Sequence, residues 1–352
     1  MSTNARWQII PSTELDDSWW QDWEVLNKAH CASHPGLSAT FAQLLIKYFA
    51  PRALLGATLR SGDSILAKTL LVESARSQWQ VFCPAQAVVA PIVFDRKLVN
   101  RIRPLTMLLT QLPGVALKLD LFNQDSRFSI LPQCESPRSR NTADWNSLTI
   151  LEPQGFAAYW SSRPSELSDN LRRRMRRADK DQLEFRLDVH LEPAAIAAAV
   201  DRFGVLETRG WKGREGSALH PDNVQGRFFR ELLQTFATAG MAKAFELRTG
   251  ERLAASRLLL FGRDMGIILK TTYDEAFRQY SAGHVLLHHV LRDIMESKAD
   301  TAIEFYSHAS REQLLWATRI TPMQNVCIYR SRGLKLLSVM RGRVQKRQSV
   351  AL

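Results

Sequence analysis

No stretch of this 352-residue chain approaches the roughly eighteen uninterrupted apolar residues that a membrane-crossing helix needs, so no such span is expected. The start, Met1-Ser2-Thr3-Asn4-Ala5-Arg6, lacks the apolar core of an export signal, and the expected compartment is the cytoplasm. Cysteine is scarce: Cys31, Cys83, Cys134 and Cys327 stand apart without a CxxC pair. That spacing excludes a disulfide framework or zinc knuckle and fits reduced thiols. A metal centre is also not expected. His284 and His288 share one helical face and His289 is adjacent, but no HExxH glutamate lies between them and no third ligand is evident.

Charge is unevenly placed. The formal net charge is +12, yet residues 163–180 hold seven basic and three acidic residues, and 330–347 hold seven basic and none acidic. Two local patches therefore supply almost all of the excess, and the rest of the chain is close to neutral. A nucleic-acid partner is not favoured by this distribution, and the arginine run 172–177 lacks the interleaved aromatics of a base-stacking platform.

What is present is an ordinary globular composition, 45% hydrophobic and 23% charged, long enough for two domains. In the first half, cap-type residues Asp16, Asp17 and Ser18 precede a helix over 18–32, with Trp19, Trp23, Leu26 and His30 on one face. A helix over 39–49, strands at 54–59, 65–72 and 79–82, a helix at 98–112 and a strand at 115–122 follow. The segment 133–144, rich in Ser, Arg and Pro, reads as a linker. The second half begins with a helix over 165–180 whose inner face carries Leu167, Leu171, Met175 and Ala178. After it come a strand at 185–191, helices to about 209 and over 222–239, and three strands at 242–247, 254–261 and 265–272. A loop at 278–283, a helix over 284–298, a strand at 302–306, a short helix at 311–318 and a strand at 325–329 complete the order. Residues 331–352 read as a mobile basic tail, with Leu334, Leu336, Leu337 and Val339 as one short apolar stripe.

The loop Arg278-Gln279-Tyr280-Ser281-Ala282-Gly283 carries the chemistry. Small residues ahead of a helix let backbone N–H groups approach a pyrophosphate, and the helix terminus adds partial positive charge. Its place after three meandering strands resembles the GNAT acyltransferases, whose cofactor loop is Q/R-x-x-G-x-G/A; here Ser281 replaces the first glycine. Glu207-Thr208-Arg209-Gly210-Trp211-Lys212-Gly213-Arg214-Glu215-Gly216-Ser217-Ala218-Leu219, Lys270-Thr271-Thr272-Tyr273-Asp274-Glu275, Tyr280-Ser281-Ala282-Gly283 and Leu171-Arg172-Arg173-Arg174-Met175-Arg176-Arg177 resemble segments of one GNAT branch. That branch holds acetyltransferases of the CelD/BcsL type, associated with cellulose and other exopolysaccharides.

The resemblance implies an α+β protein of two GNAT-like lobes, with mixed, mostly antiparallel sheets flanked by helices. Residues 1–145 would be a degenerate lobe without a cofactor loop, 146–330 the acyltransferase domain, and 331–352 the tail. Acetyl-CoA or another acyl-CoA would bind at Thr272, Tyr273, Arg278, Gln279, Tyr280, Ser281, Ala282, Gly283 and His284. Trp211, Lys212 and Lys270 would face a small-molecule or saccharide acceptor, though Trp211 and Lys212 fit a rigid turn equally well. For direct attack on the thioester, Glu207 and His308 are candidate bases and Tyr306, with Tyr280, a candidate proton donor. Each has a plain alternative: a surface carboxylate paired with Arg209, a hydrogen-bonded loop histidine, a packed aromatic. Where related sequences carry a Tyr-Lys pair ahead of a tryptophan, Glu312-Gln313 precede Trp316 here. Two other functions stay open: aminoacyl transfer from charged tRNA, as in peptidoglycan-bridge enzymes, or a silent protein whose basic tail contacts nucleic acid or anionic lipid at a membrane.

Overall fold

Alternating and three-to-four spaced apolar residues organise this chain into two compact units, 1–145 with 322–352 and 146–321. The computed structural model describes residues 5–128, 136–298 and 300–348. In chain order the elements begin β1 (Arg6–Pro11), α1 (Asp17–His30), α2 (Ala39–Phe49), β2 (Leu54–Ser61), β3 (Ser64–Ala75), β4 (Gln78–Val81), β5 (Ile92–Phe94), α3 (Ile102–Gln111), β6 (Lys118–Asp125) and β7 (Ser139–Ile150). They continue α4 (Phe156–Ser161), α5 (Ser165–Lys180), β8 (Arg186–His190), α6 (Pro193–Arg209), α7 (Trp211–Arg214), α8 (Val224–Ala237), β9 (Ala242–Thr249), β10 (Arg252–Phe261) and β11 (Met265–Tyr273). The chain ends α9 (Ala282–Ser297), β12 (Ala302–Glu304), α10 (Arg311–Leu314), β13 (Arg319–Tyr329) and α11 (Arg332–Gln348).

In the first unit β1, β2, β3 and β4 form an antiparallel meander, β6 joins β4 in parallel, and the end of β13 pairs antiparallel with β6. The Asp16 carboxylate caps α1 by accepting the Trp19 N–H at 2.8 Å. Trp19, Trp20 and Trp23 then bury their rings in contact with one another, as core anchors. Lys68 of β3 is wholly buried, its ammonium donating to the Trp19 carbonyl at 2.6 Å and to Asp22 at 3.2 Å. Burial lowers its pKa to about 8. Cys31, Cys83 and Cys327 are free thiols.

Three expectations need correcting. The linker over 133–144 is a strand from Ser139 onward, because alternation through Trp145 and Ser147 continues into the buried Leu148 and Ile150; its residues 133–135, with Cys134, lie outside the described residues. The supposed tail over 331–352 is helical through Gln348, and 349–352 lie outside the described residues. It opens where the Ser331 hydroxyl accepts the Leu334 N–H at 3.3 Å. Residues 322–330 fall in the first unit instead of closing the second.

The second unit has the order β12, β11, β10, β9, β8, with the end of β7 antiparallel on β12. All pairs are antiparallel except β11 with β12. One face carries Phe245, Leu247 and Leu259 against α4, α5 and α9. On the other, α6 and α8 pack together, and Arg202 of α6 reaches Glu246 at 2.8 Å. On α5 the inner face is narrower than expected: Leu167, Leu171 and Ala178 are buried, but Met175 is 38% exposed.

Two irregularities open the sheet. Leu269 is an extra residue in β11, since Leu258 pairs with Lys270 and Leu259 with Ile268. Beyond Ile267, paired with Glu304, β12 leaves β11. The C-terminal half of β11 therefore offers its backbone edge on that side.

Candidate functional site

A cavity of about 1000 Å³ lies at the C-terminal end of β11 and the start of α9. It is bounded by the loop residues Arg278, Gln279, Ser281, Ala282, Gly283 and His284, by Tyr273, and by Glu166, Asn170 and Arg174 of α5. These three α5 residues recur every four positions and so share one face. Leu171, Leu315 and Trp316 add an apolar wall, and Glu275 and Glu312 add carboxylates.

The loop's local geometry follows from its residues. Asp274 accepts the Ala276 N–H at 2.9 Å and starts a short 3-10 turn through Tyr280. Ser281 reverses the chain at φ 52°, ψ 45°, the left-handed conformation that glycine adopts without strain. This conformation explains why related loops carry glycine at that position. α9 then begins two residues earlier than the sequence predicts, so Ala282, Gly283 and His284 form its first turn. No side chain caps this terminus, leaving it a ready acceptor of negative charge. A Cβ on Gly283 would meet nothing closer than Tyr273 at 3.7 Å.

Cations surround the turn. Arg174 donates to the Gln279 carbonyl at 2.9 Å, tying α5 to the loop. Arg257 of β10 lies beneath it, 6% exposed, donating to Thr271 Oγ1 at 3.0 Å and to the Gly283 carbonyl at 3.2 Å. Its Nε has no hydrogen-bond partner, and burial lowers its pKa to about 9. Burial, followed by the charge of Arg257, lowers the His284 pKa, so the imidazole entering the cavity is neutral near pH 7. Arg257 was missed from sequence, although it is the lone charge in Leu253-Ala254-Ala255-Ser256-Arg257-Leu258-Leu259-Leu260-Phe261. Glu166, Asn170, Glu275, Glu312 and Trp316 were missed because helix-face and loop neighbours are tertiary facts.

The remaining candidates divide. Glu207 is 3% exposed on α6 and accepts the Lys212 ammonium at 2.5 Å and the Leu219 N–H at 2.8 Å. It partners Lys212, not Arg209. Lys270 lies close enough to feel the Glu207 charge, with its ammonium 4.9 Å from the Phe229 ring centre. Burial lowers its pKa. Glu207, Lys212 and Lys270 thus form one cluster, on the α6 and α8 face opposite α9. Trp211 is 51% exposed, and its backbone N–H donates to the Glu275 carboxylate at 3.1 Å, joining this cluster's helix to the cavity rim. Gly213 is required there, because a Cβ would fall 1.7 Å from the Thr208 carbonyl oxygen.

Thr272 is buried in β11 opposite Ser256 and does not line the cavity. Tyr280 is also buried, its hydroxyl donating to Asp181 at 2.7 Å behind the loop. That bond, with Asp181 accepting, raises the Tyr280 pKa. Tyr306 follows β12 with φ 41°, half-buried, and His308 is exposed; neither lines the cavity. His288 packs edge-on against Trp160 at 4.6 Å and Phe156 at 5.0 Å. Among the described residues no group of three or more His, Cys, Asp or Glu side chains is placed to hold a metal ion.

Comparisons with known proteins agree with this geometry. Residues 165–311 match the family model of the acetyltransferase (GNAT) domain. No curated protein matches the chain in sequence. Among solved structures it is similar to FemX, at TM-score 0.59 and 9% identity, covering 88% of this chain and 96% of that one. It is also similar to the C-terminal domain of a putative lysylphosphatidylglycerol synthetase from Agrobacterium fabrum (TM-score 0.56, 10% identity, 92% and 96% covered). A tandem GNAT protein from the clavulanic acid biosynthesis pathway gives 0.50, 13% identity, 93% and 99%. The fold is the GNAT fold, a mixed sheet flanked by helices, and the chain carries an acyltransferase domain.

Proposed function

We propose that this acyltransferase takes its acyl group from acetyl-CoA or another acyl-CoA and passes it to an amine or hydroxyl of a sugar or surface-polysaccharide precursor. The observation that carries the donor half is the uncapped start of α9, opening into the cavity of about 1000 Å³ lined by Arg174 and Arg278. Backbone N–H groups, the helix terminus and these guanidiniums suit a pyrophosphate. The edge of β11 that β12 leaves beyond Ile267 suits the amides of an extended donor arm. The acceptor half rests on the resemblance of the Trp211 and Lys270 segments to exopolysaccharide acetyltransferases.

In this reading the acceptor approaches from the face of Glu207, Lys212 and Lys270. Glu207 is the favoured base, and Tyr306, just past the point where β12 leaves β11, is the favoured donor to the departing thiolate. His308 is the alternative base, separable by the pH–rate profiles of the two single variants. The test of the donor is thermal stabilisation by acetyl-CoA and longer acyl-CoAs, for the native protein and for Gly283→Trp. A Cβ at Gly283 meets only ordinary contact with Tyr273, and the indole beyond it is expected to fill the cavity. Stabilisation of the native protein alone is expected; no shift with any acyl-CoA refutes the donor assignment.

One observation favours a second reading, aminoacyl transfer from charged tRNA. α5, which lines the cavity with Arg174, also carries Arg172, Arg173, Arg176 and Arg177, and FemX and the lysylphosphatidylglycerol synthetase domain share the fold. Strongly salt-dependent tRNA binding, with acyl transfer from charged tRNA and none from acyl-CoA, would establish it.

A further inference from the structure

The C-terminal helix α11 has two unlike faces. One is fastened to its own unit: the Lys335 ammonium donates to the Ser136 carbonyl at 2.8 Å, and the Tyr329 hydroxyl is 2.9 Å from Ser338 Oγ. Helical spacing puts Leu336, Leu337 and Met340 on the other side, and they are 64%, 55% and 56% exposed. Large apolar side chains so exposed on one helical stripe need a partner. The surrounding charge narrows its chemistry, since residues 330–347 hold seven basic residues and no acidic one.

We propose that α11 is an interfacial helix that lays Leu336, Leu337 and Met340 into the surface of an anionic phospholipid membrane, drawn there by the net positive charge of residues 330–347. Both halves of the pattern fit a lipid surface, where apolar insertion and attraction to negative headgroups add. Nucleic acid would satisfy the charge but give the three apolar side chains nowhere to go. A second copy of this helix would cover the apolar stripe but bring two segments of the same strong positive charge together. No helix among the described residues is long and apolar enough to cross a membrane, so α11 would lie on the bilayer.

The experiment is co-sedimentation of the intact protein with vesicles of phosphatidylcholine alone and of phosphatidylcholine mixed with phosphatidylglycerol. It needs no acyl donor, so it stands or falls separately from the reaction assigned above. The native chain is expected to sediment with the mixed vesicles, not with phosphatidylcholine alone, and to be released by salt. The triple variant L336S/L337S/M340S should bind at least tenfold more weakly with its thermal stability unchanged, because those side chains support no core. Arg332→Gln, exposed at the helix start, should weaken binding roughly fivefold. Equal binding to both vesicle types, or undiminished binding by the triple serine variant, overturns the proposal. So does a native dimer that the triple variant dissolves, or RNA binding in place of vesicle binding.

Discussion

Arg257 donates to the Gly283 carbonyl at 3.2 Å from a buried position in β10, where burial with no offsetting carboxylate charge lowers its pKa. A guanidinium in such a place costs stability in the free protein, and a bound anion at the start of α9 would offset that cost. Arg257→Met is therefore expected to keep or raise the melting temperature while weakening acyl-CoA binding about tenfold or more. Calorimetric titration beside a thermal melt reads both effects. A variant that melts lower and binds normally would make Arg257 a purely structural residue.

Ser281 holds the left-handed turn that starts α9. Ser281→Gly relieves side-chain strain but gives the unfolded chain more freedom, so stability should change by less than about 1 kcal/mol with transfer retained. Ser281→Val places a β-branched residue there and should cost about 1–2 kcal/mol. Urea unfolding of both variants tests the pair.

Glu207 has both oxygens engaged, by Lys212 and by the Leu219 N–H. Glu207→Ala leaves Lys212 without its partner and a buried amide unsatisfied, and should destabilise by about 3 kcal/mol. Glu207→Gln keeps the shape and discriminates the two roles. If Glu207 is the base, kcat falls at least a hundredfold and the acidic limb of the pH–rate profile disappears. If it only positions α7, the loss is chiefly in KM.

His288 is held neutral, since burial followed by the charges of Arg292 and His289 takes its pKa from 6.5 to about 4. The folded state therefore binds its proton more weakly than the unfolded state does. Its contribution is complete above pH 6.5 and is lost as the pH falls from there to about 4, by about 3 kcal/mol in all. His288→Leu should flatten that part of the stability–pH curve, measured by denaturant unfolding at successive pH values. An unchanged slope would remove His288 as its source.

The sequence by itself determined the second unit's element order, because apolar period and turn residues are local. α6, α8, β9, β10, β11 and α9 all lie within a few residues of where spacing predicts them. It also determined the loop, since a basic residue and small residues ahead of an amphipathic helix are written consecutively. Tyr273, Arg278, Gln279, Ser281, Ala282, Gly283 and His284 do meet at one cavity. Only the tertiary structure decided which neighbours complete it. Arg174, which lines it, is 105 residues from Gln279 in sequence, and Arg257, which does not line it but holds the Gly283 carbonyl, is 26 from Gly283; no local pattern encodes such contacts. Folding also separated residues that look alike on paper: Tyr280 turns behind the loop to Asp181, while Tyr273 faces the cavity. The same holds for the basic C-terminus. Its charge is plain in the composition, but the docking of one helical face through Lys335 and Ser338 is what leaves Leu336, Leu337 and Met340 turned outward.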